Sequence, residues 1–164
     1  GEELIAKYFH PYVYLNRKVI AENGLDQAEI ERAVAEELTH FEGVALAVSS
    51  SALDVGGVPD TPLIQSILRN YNPSRSGDIY VVFDPNRFIN DFDGLTVAAT
   101  HGSPWGYDTY VPILFAGMGI PAQRINRMVQ TVAIAPALSL LVGAKPPTGS
   151  VGAAGLGAAP ADNN

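Results

Sequence analysis

The sequence predicts an α/β chain in which short strands alternate with helices. Runs of β-branched and aromatic residues, which are typical of strands, lie at residues 12–15, 44–48 and 79–83. Between them, residues 26–41 and 61–70 show the 3.6-residue apolar period of an amphipathic helix. We therefore expect a compact α+β unit with the order strand, helix, strand, helix, strand.

The first helix has the clearest signals. Asp26 and Glu29 form a pair that resembles a capping box, and apolar residues from Ile30 to Phe41 recur at helical spacing. The acidic residues of this helix, Glu31 among them, fall mostly on the opposite side. The second helix is expected to begin at Thr61 and Pro62, because a proline loses no helical hydrogen bond in the first turn. This order predicts a βαβαβ, ferredoxin-like subdomain over residues 1–85.

The chain changes character after residue 85. A polar, glycine-rich connection runs to residue 105, and a long loop of this kind is usually functional. A strand is expected at 111–115 and an apolar helix at 131–141, so that residues 86–150 form a second region. Residues 151–164 are almost wholly Gly, Ala, Pro and Asn, and we expect them to be a disordered tail.

Composition excludes several classes of protein. The net charge is −7 and the 10 Lys and Arg residues are scattered, which argues against a nucleic-acid partner. The absence of cysteine excludes a disulfide framework, a thiolate zinc site and a cysteine nucleophile. No uninterrupted apolar run approaches the roughly 18–20 residues that a membrane span needs.

Three histidines are candidates for metal chemistry. His10 precedes a proline at a strand edge, and His40 lies at the end of the first helix, where a cation is favourable. Both are interpreted as structural. His101 lies in the loop THGSPWGYDTYVP, which leads into the strand expected at 111–115, and loops at strand ends often carry ligand-binding residues. His101 is either a metal ligand oriented by a carboxylate or a surface histidine hydrogen-bonded within a tight turn.

Three carboxylates lie near His101 in the sequence: Asp91, Asp93 and Asp108. Together with the imidazole they form a donor set suited to zinc or magnesium. A complete zinc site needs at least three protein ligands. The alternative is that Asp91 and Asp93 belong to a turn before Gly94. The P-loop, HExxH and GxSxG motifs are absent.

The segment from Thr100 onward resembles a known family. The stretch THGSPWGYDTYVPILFAGMGIP, followed by VQTVAIAPALSLLVGAKPP, is similar to the C-terminal end of the alkaline phosphatase superfamily, in its type I phosphodiesterase/nucleotide pyrophosphatase-like branch. The upstream stretches YLNRKVI and RSGDIYVVFDP agree with it, so the resemblance extends to about Gly152. It implies that residues 1–85 are an inserted subdomain. Residues 86–150 would then supply a terminal strand and helix of an alkaline-phosphatase-like sheet.

The resemblance also implies a zinc-dependent phosphomonoesterase or phosphodiesterase. In this family two zinc ions flank a Thr or Ser nucleophile, and water hydrolyses a covalent phospho-enzyme. His101, the histidine of the family's His-Gly pair, is the one family ligand that maps onto this chain. Tyr110 stands where many relatives carry a second histidine, a position not counted here as a ligand. The nucleophile and the other ligands are expected in an N-terminal part of the same protein, outside this chain.

Two interpretations of different class follow. In the first, the chain is the C-terminal portion of a periplasmic or secreted enzyme that acts on small-molecule phosphate esters, and it is inactive by itself. In the second, it is a noncatalytic α+β binding or interaction module that keeps an inherited loop. The strand and helix expected within residues 111–142, which relatives pack onto a large sheet, favour the first interpretation.

Overall fold

A computed structural model describes residues 3–92, 94–117 and 119–151 of the chain. Two compact units are present, Gly1–Tyr110 and Val111–Asn164. The first contains β1 (Ile5–Phe9), β2 (Tyr12–Leu15), α1 (Arg17–Glu22), α2 (Gln27–Thr39), β3 (Val44–Ser49), α3 (Ser50–Asp54), α4 (Pro62–Asn70), β4 (Ile79–Phe83), β5 (Asp91–Phe92), β6 (Leu95–Thr96) and α5 (Gly106–Thr109). The second contains a 3-10 turn at Thr131–Ala133 and then α6 (Ile134–Leu141).

The main sheet of the first unit has the strand order β1-β2-β4-β3, and every neighbouring pair is antiparallel. Because β2 and β3 are both antiparallel to β4, they run parallel to each other with β4 between them. The segment β2-α2-β3 is thus a split βαβ unit, as in half of a ferredoxin-like fold. The predicted fold class is confirmed.

Strand β4 lies between β2 and β3 in the main sheet and is buried on both faces. Ile79 and Val81 pack into one apolar cluster with residues of α1 and α2. Tyr80 and Val82 pack into a second cluster with residues of α3 and α4. A strand covered on both faces needs no polar alternation, which explains the continuous apolar run from residue 79 to residue 83.

Side-chain caps begin the two predicted helices where the sequence indicates. The Asp26 carboxylate accepts a hydrogen bond from the Glu29 amide at 2.9 Å and begins α2. The Thr61 hydroxyl accepts one from the Ile64 amide at 3.2 Å and begins α4, with a proline in its first turn. Each cap satisfies an amide that has no partner within the helix. Both predicted helix starts are confirmed.

Among the elements of the first unit that carry no clear sequence signal are β1, α1 and α3. Every residue of β1 is exposed, so this edge strand lacks the apolar alternation that reveals a half-buried strand. Helices α1 and α3 have six and five residues, too short for an apolar period to repeat. They form because capping and packing in the assembled unit supplement a weak local preference.

The position of Glu31 differs from the prediction, which placed it on the polar side of α2. Its side chain is buried. The carboxylate accepts hydrogen bonds from the Ser51 amide at 2.9 Å and the Ser50 hydroxyl at 3.1 Å, both at the start of α3. Gln27 donates a third at 2.8 Å. A carboxylate is favourable at a helix start because it satisfies unpaired amides there, and α3 covers this part of α2.

Asp78, a buried residue just before β4, contacts three elements through its carboxylate and its backbone carbonyl. The carboxylate accepts hydrogen bonds from the Leu15 amide at 2.7 Å and from the Arg17 guanidinium at 2.6 and 3.2 Å. The backbone carbonyl of Asp78 accepts a hydrogen bond from the Ser50 amide at 2.8 Å. The Arg17 side chain is 65% exposed and that of Asp78 only 3% exposed, so the carboxylate is the desolvated partner of this ion pair.

Gly77, the residue before Asp78, allows β2 to approach closely. A Cβ atom at residue 77 would lie 2.5 Å from Cβ of Tyr12, closer than two carbon atoms can pack. Glycine is therefore required here by space.

In the second unit, the predicted helix forms as α6, preceded by the 3-10 turn. Residues 111–115, where a strand was expected, form no strand and pair with no strand in the described part of the chain. Strands require a neighbouring backbone to satisfy their amides and carbonyls. Residues 152–164 of the predicted tail lie outside the described residues. The expected boundaries at residues 85 and 150 stay predictions.

No helix in the described parts of the chain is long and apolar enough to cross a membrane.

Replacing Asp78 with alanine should lower the free energy of unfolding by about 3 kcal/mol. The substitution leaves the buried Leu15 amide without a partner and removes the Arg17 ion pair. Urea unfolding followed by far-ultraviolet circular dichroism measures the change. Glu22→Ala is the control: Glu22 is 58% exposed and 3.8 Å from Lys18, so its loss should cost less than about 0.5 kcal/mol. Equal effects of the two substitutions would contradict the role given to Asp78.

Candidate functional site

The loop that carries His101 encloses a cavity of about 260 Å³ against the end of the main sheet. One wall is formed by β4 together with His10 and Pro11, and the other by residues 98–104 with Tyr107 and Asp108. Arg87 also lines the cavity, and its guanidinium pairs with Glu42 at 3.1 Å. The imidazole of His101 is exposed at this cavity.

Gly102 turns the backbone directly after His101. Its φ angle is +97°, in the region that residues with a side chain rarely adopt. A Cβ atom built there would meet no atom within 4 Å, so conformation rather than space requires glycine. The His-Gly pair noted in the sequence is thus a local backbone requirement at this loop.

Asp108 closes the loop around His101. Its carboxylate accepts hydrogen bonds from the Ser103 hydroxyl at 2.6 Å and from the Ser103 amide at 2.9 Å. These two bonds hold the pKa of Asp108 below its usual range, and the charge of His101 lowers it further by a smaller amount. The structure therefore places Asp108 and His101 at the same cavity, with Ser103 as the direct partner of the carboxylate.

Two aromatic side chains connect the same loop to the chain that leaves β4. The indole Nε1–H of Trp105 donates to the Phe83 carbonyl at 2.8 Å. The Tyr107 hydroxyl accepts a hydrogen bond from the Asn86 amide at 2.9 Å. Asn86 has a φ of +63°, which asparagine tolerates better than most residues. The sequence showed an aromatic loop but did not indicate these partners.

His10 is also in the cavity wall, although it was interpreted as structural from the sequence. Its Nδ1 lies 2.9 Å from the Tyr8 hydroxyl, and its ring stacks on Phe83 with 6.2 Å between centroids. Burial lowers the pKa of His10, so the ring is neutral near pH 7. These contacts agree with a structural role. His10 and His101 are 91 positions apart, and no local pattern indicated that they line one cavity.

The remaining candidates lie elsewhere. Asp91 accepts a hydrogen bond from the Gly94 amide at 2.7 Å in the β5–β6 hairpin. This agrees with the interpretation that Asp91 belongs to a turn before Gly94. Asp93 lies outside the described residues. His40 follows α2, with its Nδ1 3.9 Å from a Glu37 carboxylate oxygen.

The described residues do not form a complete metal site. Within 3–92, 94–117 and 119–151, no group of three or more His, Asp or Glu side chains is arranged to hold a metal ion. The exposed imidazole of His101 has the donor chemistry of a single zinc ligand. Zinc bound through His101 would need further ligands from outside this set.

Known proteins match the chain over most of its length. It is 30% identical over 150 residues to a protein of Myroides odoratus named calcium-transporting ATPase, covering 92% of this chain and 27% of that protein. It is 28% identical over 152 residues to alkaline phosphatase PafA of Elizabethkingia meningoseptica, covering 93% of this chain and 27% of PafA. The crystal structure of wild-type PafA matches 93% of this chain and 28% of its own, with a TM-score of 0.78 and 28% identity.

The chain belongs to the alkaline phosphatase superfamily. No family model matches it, so the assignment depends on these relatives and on the shared fold. The resemblance seen in the sequence is confirmed at the level of the superfamily. The chain spans about a quarter of the length of the relatives that it matches, 27% for each of the two proteins above.

The hydrogen bonds between Asp108 and Ser103 should survive in acid below the usual pKa of aspartate. A carboxyl group whose pKa is lowered by folding stabilises the folded loop above its unfolded value, and this contribution is lost as the pH falls through the folded pKa. NMR titration of the Asp108 carboxyl carbon and the Ser103 amide should give a common midpoint below 3.8. Asp108→Asn should abolish the Ser103 transition. A midpoint at or above 3.8 would contradict the geometry.

Proposed function

We propose that this chain is the C-terminal portion of a zinc-dependent phosphoric ester hydrolase in which His101 is one metal ligand. The position of His101 supports the proposal most directly. His101 matches the histidine of the superfamily's His-Gly pair, and it is exposed on a loop that lines a cavity. The relatives include an alkaline phosphatase that matches in sequence and in fold.

The complete enzyme would bind two zinc ions and attack phosphate esters of small molecules through a Thr or Ser that lies outside this chain. Zinc supplies charge stabilisation at the phosphoryl group and lowers the pKa of a bound nucleophile. The residues of this chain contribute one imidazole donor, and the loop around it gives that donor a fixed direction. We further propose that the enzyme is periplasmic or secreted, and that the isolated chain is inactive.

Residues near the nucleophile would determine whether the enzyme prefers monoester or diester substrates. They would also determine whether it belongs to the phosphodiesterase/nucleotide pyrophosphatase-like branch. Two polar side chains of the cavity wall have partners: Asp108 binds Ser103, and Arg87 pairs with Glu42.

The proposal is tested by replacing His101 with alanine in the complete enzyme. Loss of a direct ligand should lower the affinity for zinc, and kcat/KM for p-nitrophenyl phosphate, by about 100-fold or more, because even outer partners of metal ligands contribute about 10- to 100-fold. Zinc content by mass spectrometry and hydrolysis rates measure both quantities. In the isolated chain, zinc should perturb the His101 imidazole in NMR spectra while p-nitrophenyl phosphate stays intact.

His40→Ala is the matched control, because His40 is also exposed and lies away from the cavity. It should leave zinc content and hydrolysis unchanged. Retention of both zinc ions and of activity in His101→Ala would refute the ligand role. Tight binding of two zinc ions and turnover by the isolated chain would refute the proposal that most of the site lies outside it.

A further inference from the structure

The loop that carries His101 does not lie flat on the sheet. Residues 98–104 line one side of the cavity of about 260 Å³, and β4 lines the other. A backbone segment next to a cavity lacks the close packing that holds most of a protein interior in one conformation. The position of the backbone that carries His101 therefore depends on contacts at the ends of this segment.

Trp105 makes the strongest contact at the C-terminal end. Its ring packs against the apolar cluster on the α3 and α4 face of the sheet, which includes Tyr80 and Val82. Its indole N–H donates to the Phe83 carbonyl at 2.8 Å. The indole is thus held both by packing and by a directional hydrogen bond, as is usual for a buried tryptophan.

Hydrogen bonds connect Trp105 to Ser103, two residues after His101. The Trp105 carbonyl accepts from the amides of Asp108 and Thr109 at 3.0 Å, which forms the single turn α5. The Asp108 carboxylate then binds the amide and hydroxyl of Ser103, two residues after His101. The Tyr107 hydroxyl adds a second connection to the sheet through the Asn86 amide.

We propose that Trp105 is a positioning residue for the His101 metal ligand, with Tyr107 as a second anchor. The inference depends on the proposed function of His101. It gives the α+β unit a specific role, because β4 and the turn after it hold the loop. The unit then positions a zinc ligand through the loop that carries it. Metal–ligand distances tolerate errors of only about 0.2 Å, so a small shift of the loop weakens metal binding.

The test compares Trp105→Phe and Tyr107→Phe with Tyr71→Phe in the complete enzyme, where the other zinc ligands are present. Each substitution keeps an aromatic ring and removes one hydrogen-bonding group. Tyr71 is a matched control because its hydroxyl donates to Asp54 at 2.8 Å, away from the cavity. NMR signals of the His101 imidazole report its setting, amide hydrogen exchange reports loop and sheet separately, and a zinc titration by calorimetry reports affinity.

The two loop substitutions should shift or broaden the His101 signals and speed amide exchange from Gly102 to Asp108. They should also weaken zinc binding at His101 by about tenfold, as expected for partners of a metal ligand. Amides of β3 and β4 should stay protected. Tyr71→Phe should leave the His101 signals and the zinc affinity unchanged. If Trp105→Phe fails to fold, Tyr107→Phe decides, because the Tyr107 ring is 53% exposed and its replacement opens no cavity.

His101→Ala in the same titration separates the two hypotheses. If it lowers the zinc affinity while both loop substitutions leave the His101 signals and the zinc affinity unchanged, the positioning role is refuted and the ligand role stands. If His101→Ala leaves zinc binding intact, the ligand role is refuted, and positioning for a metal is refuted with it. Equal effects of Tyr71→Phe and Tyr107→Phe on His101 would show general destabilisation and refute a specific anchor.

Discussion

The carboxylate of Asp78 is the constraint on which the first unit depends. It lies directly before β4, where it binds the last amide of β2 and the guanidinium of Arg17 at the start of α1. The backbone carbonyl of the same residue accepts a hydrogen bond from the start of α3. A buried carboxylate is costly unless such donors satisfy it, so its presence forces these chain segments into one arrangement. The register of the central strand follows from that arrangement.

The opposite end of β4 organises the candidate site. The chain leaves the strand at Phe83, whose carbonyl accepts the indole N–H of Trp105, and turns at Asn86, whose amide donates to Tyr107. One strand, covered by helices on both faces, therefore joins the polar centre at Asp78 to the loop that carries His101. The resemblance implies that residues 1–85 are an inserted subdomain. Such a unit can act as a rigid support for a loop.

The partial match to the relatives agrees with the small number of metal-ligand candidates in this chain. The relatives match nine tenths of this chain, whereas the chain matches about a quarter of each relative. Consistent with this, the described residues offer one well-presented imidazole and no complete donor set for a metal. The nearby carboxylate, Asp108, accepts both Ser103 hydrogen bonds on one oxygen and thereby closes the loop.

The sequence alone determined the elements whose signals are local: strands β2, β3 and β4, helices α2 and α4 with their caps, α6, and the His-Gly loop with its superfamily resemblance. Caps, turns and apolar periods act within a few residues, so they can be read without a structure. Only the tertiary structure decided that Glu31 is buried, that His10 and His101 share a cavity, that Trp105 holds the loop, and that residues 111–115 form no strand. Each of these depends on which distant groups meet, or on whether a partner strand is present, and such long-range contacts leave no period in the sequence.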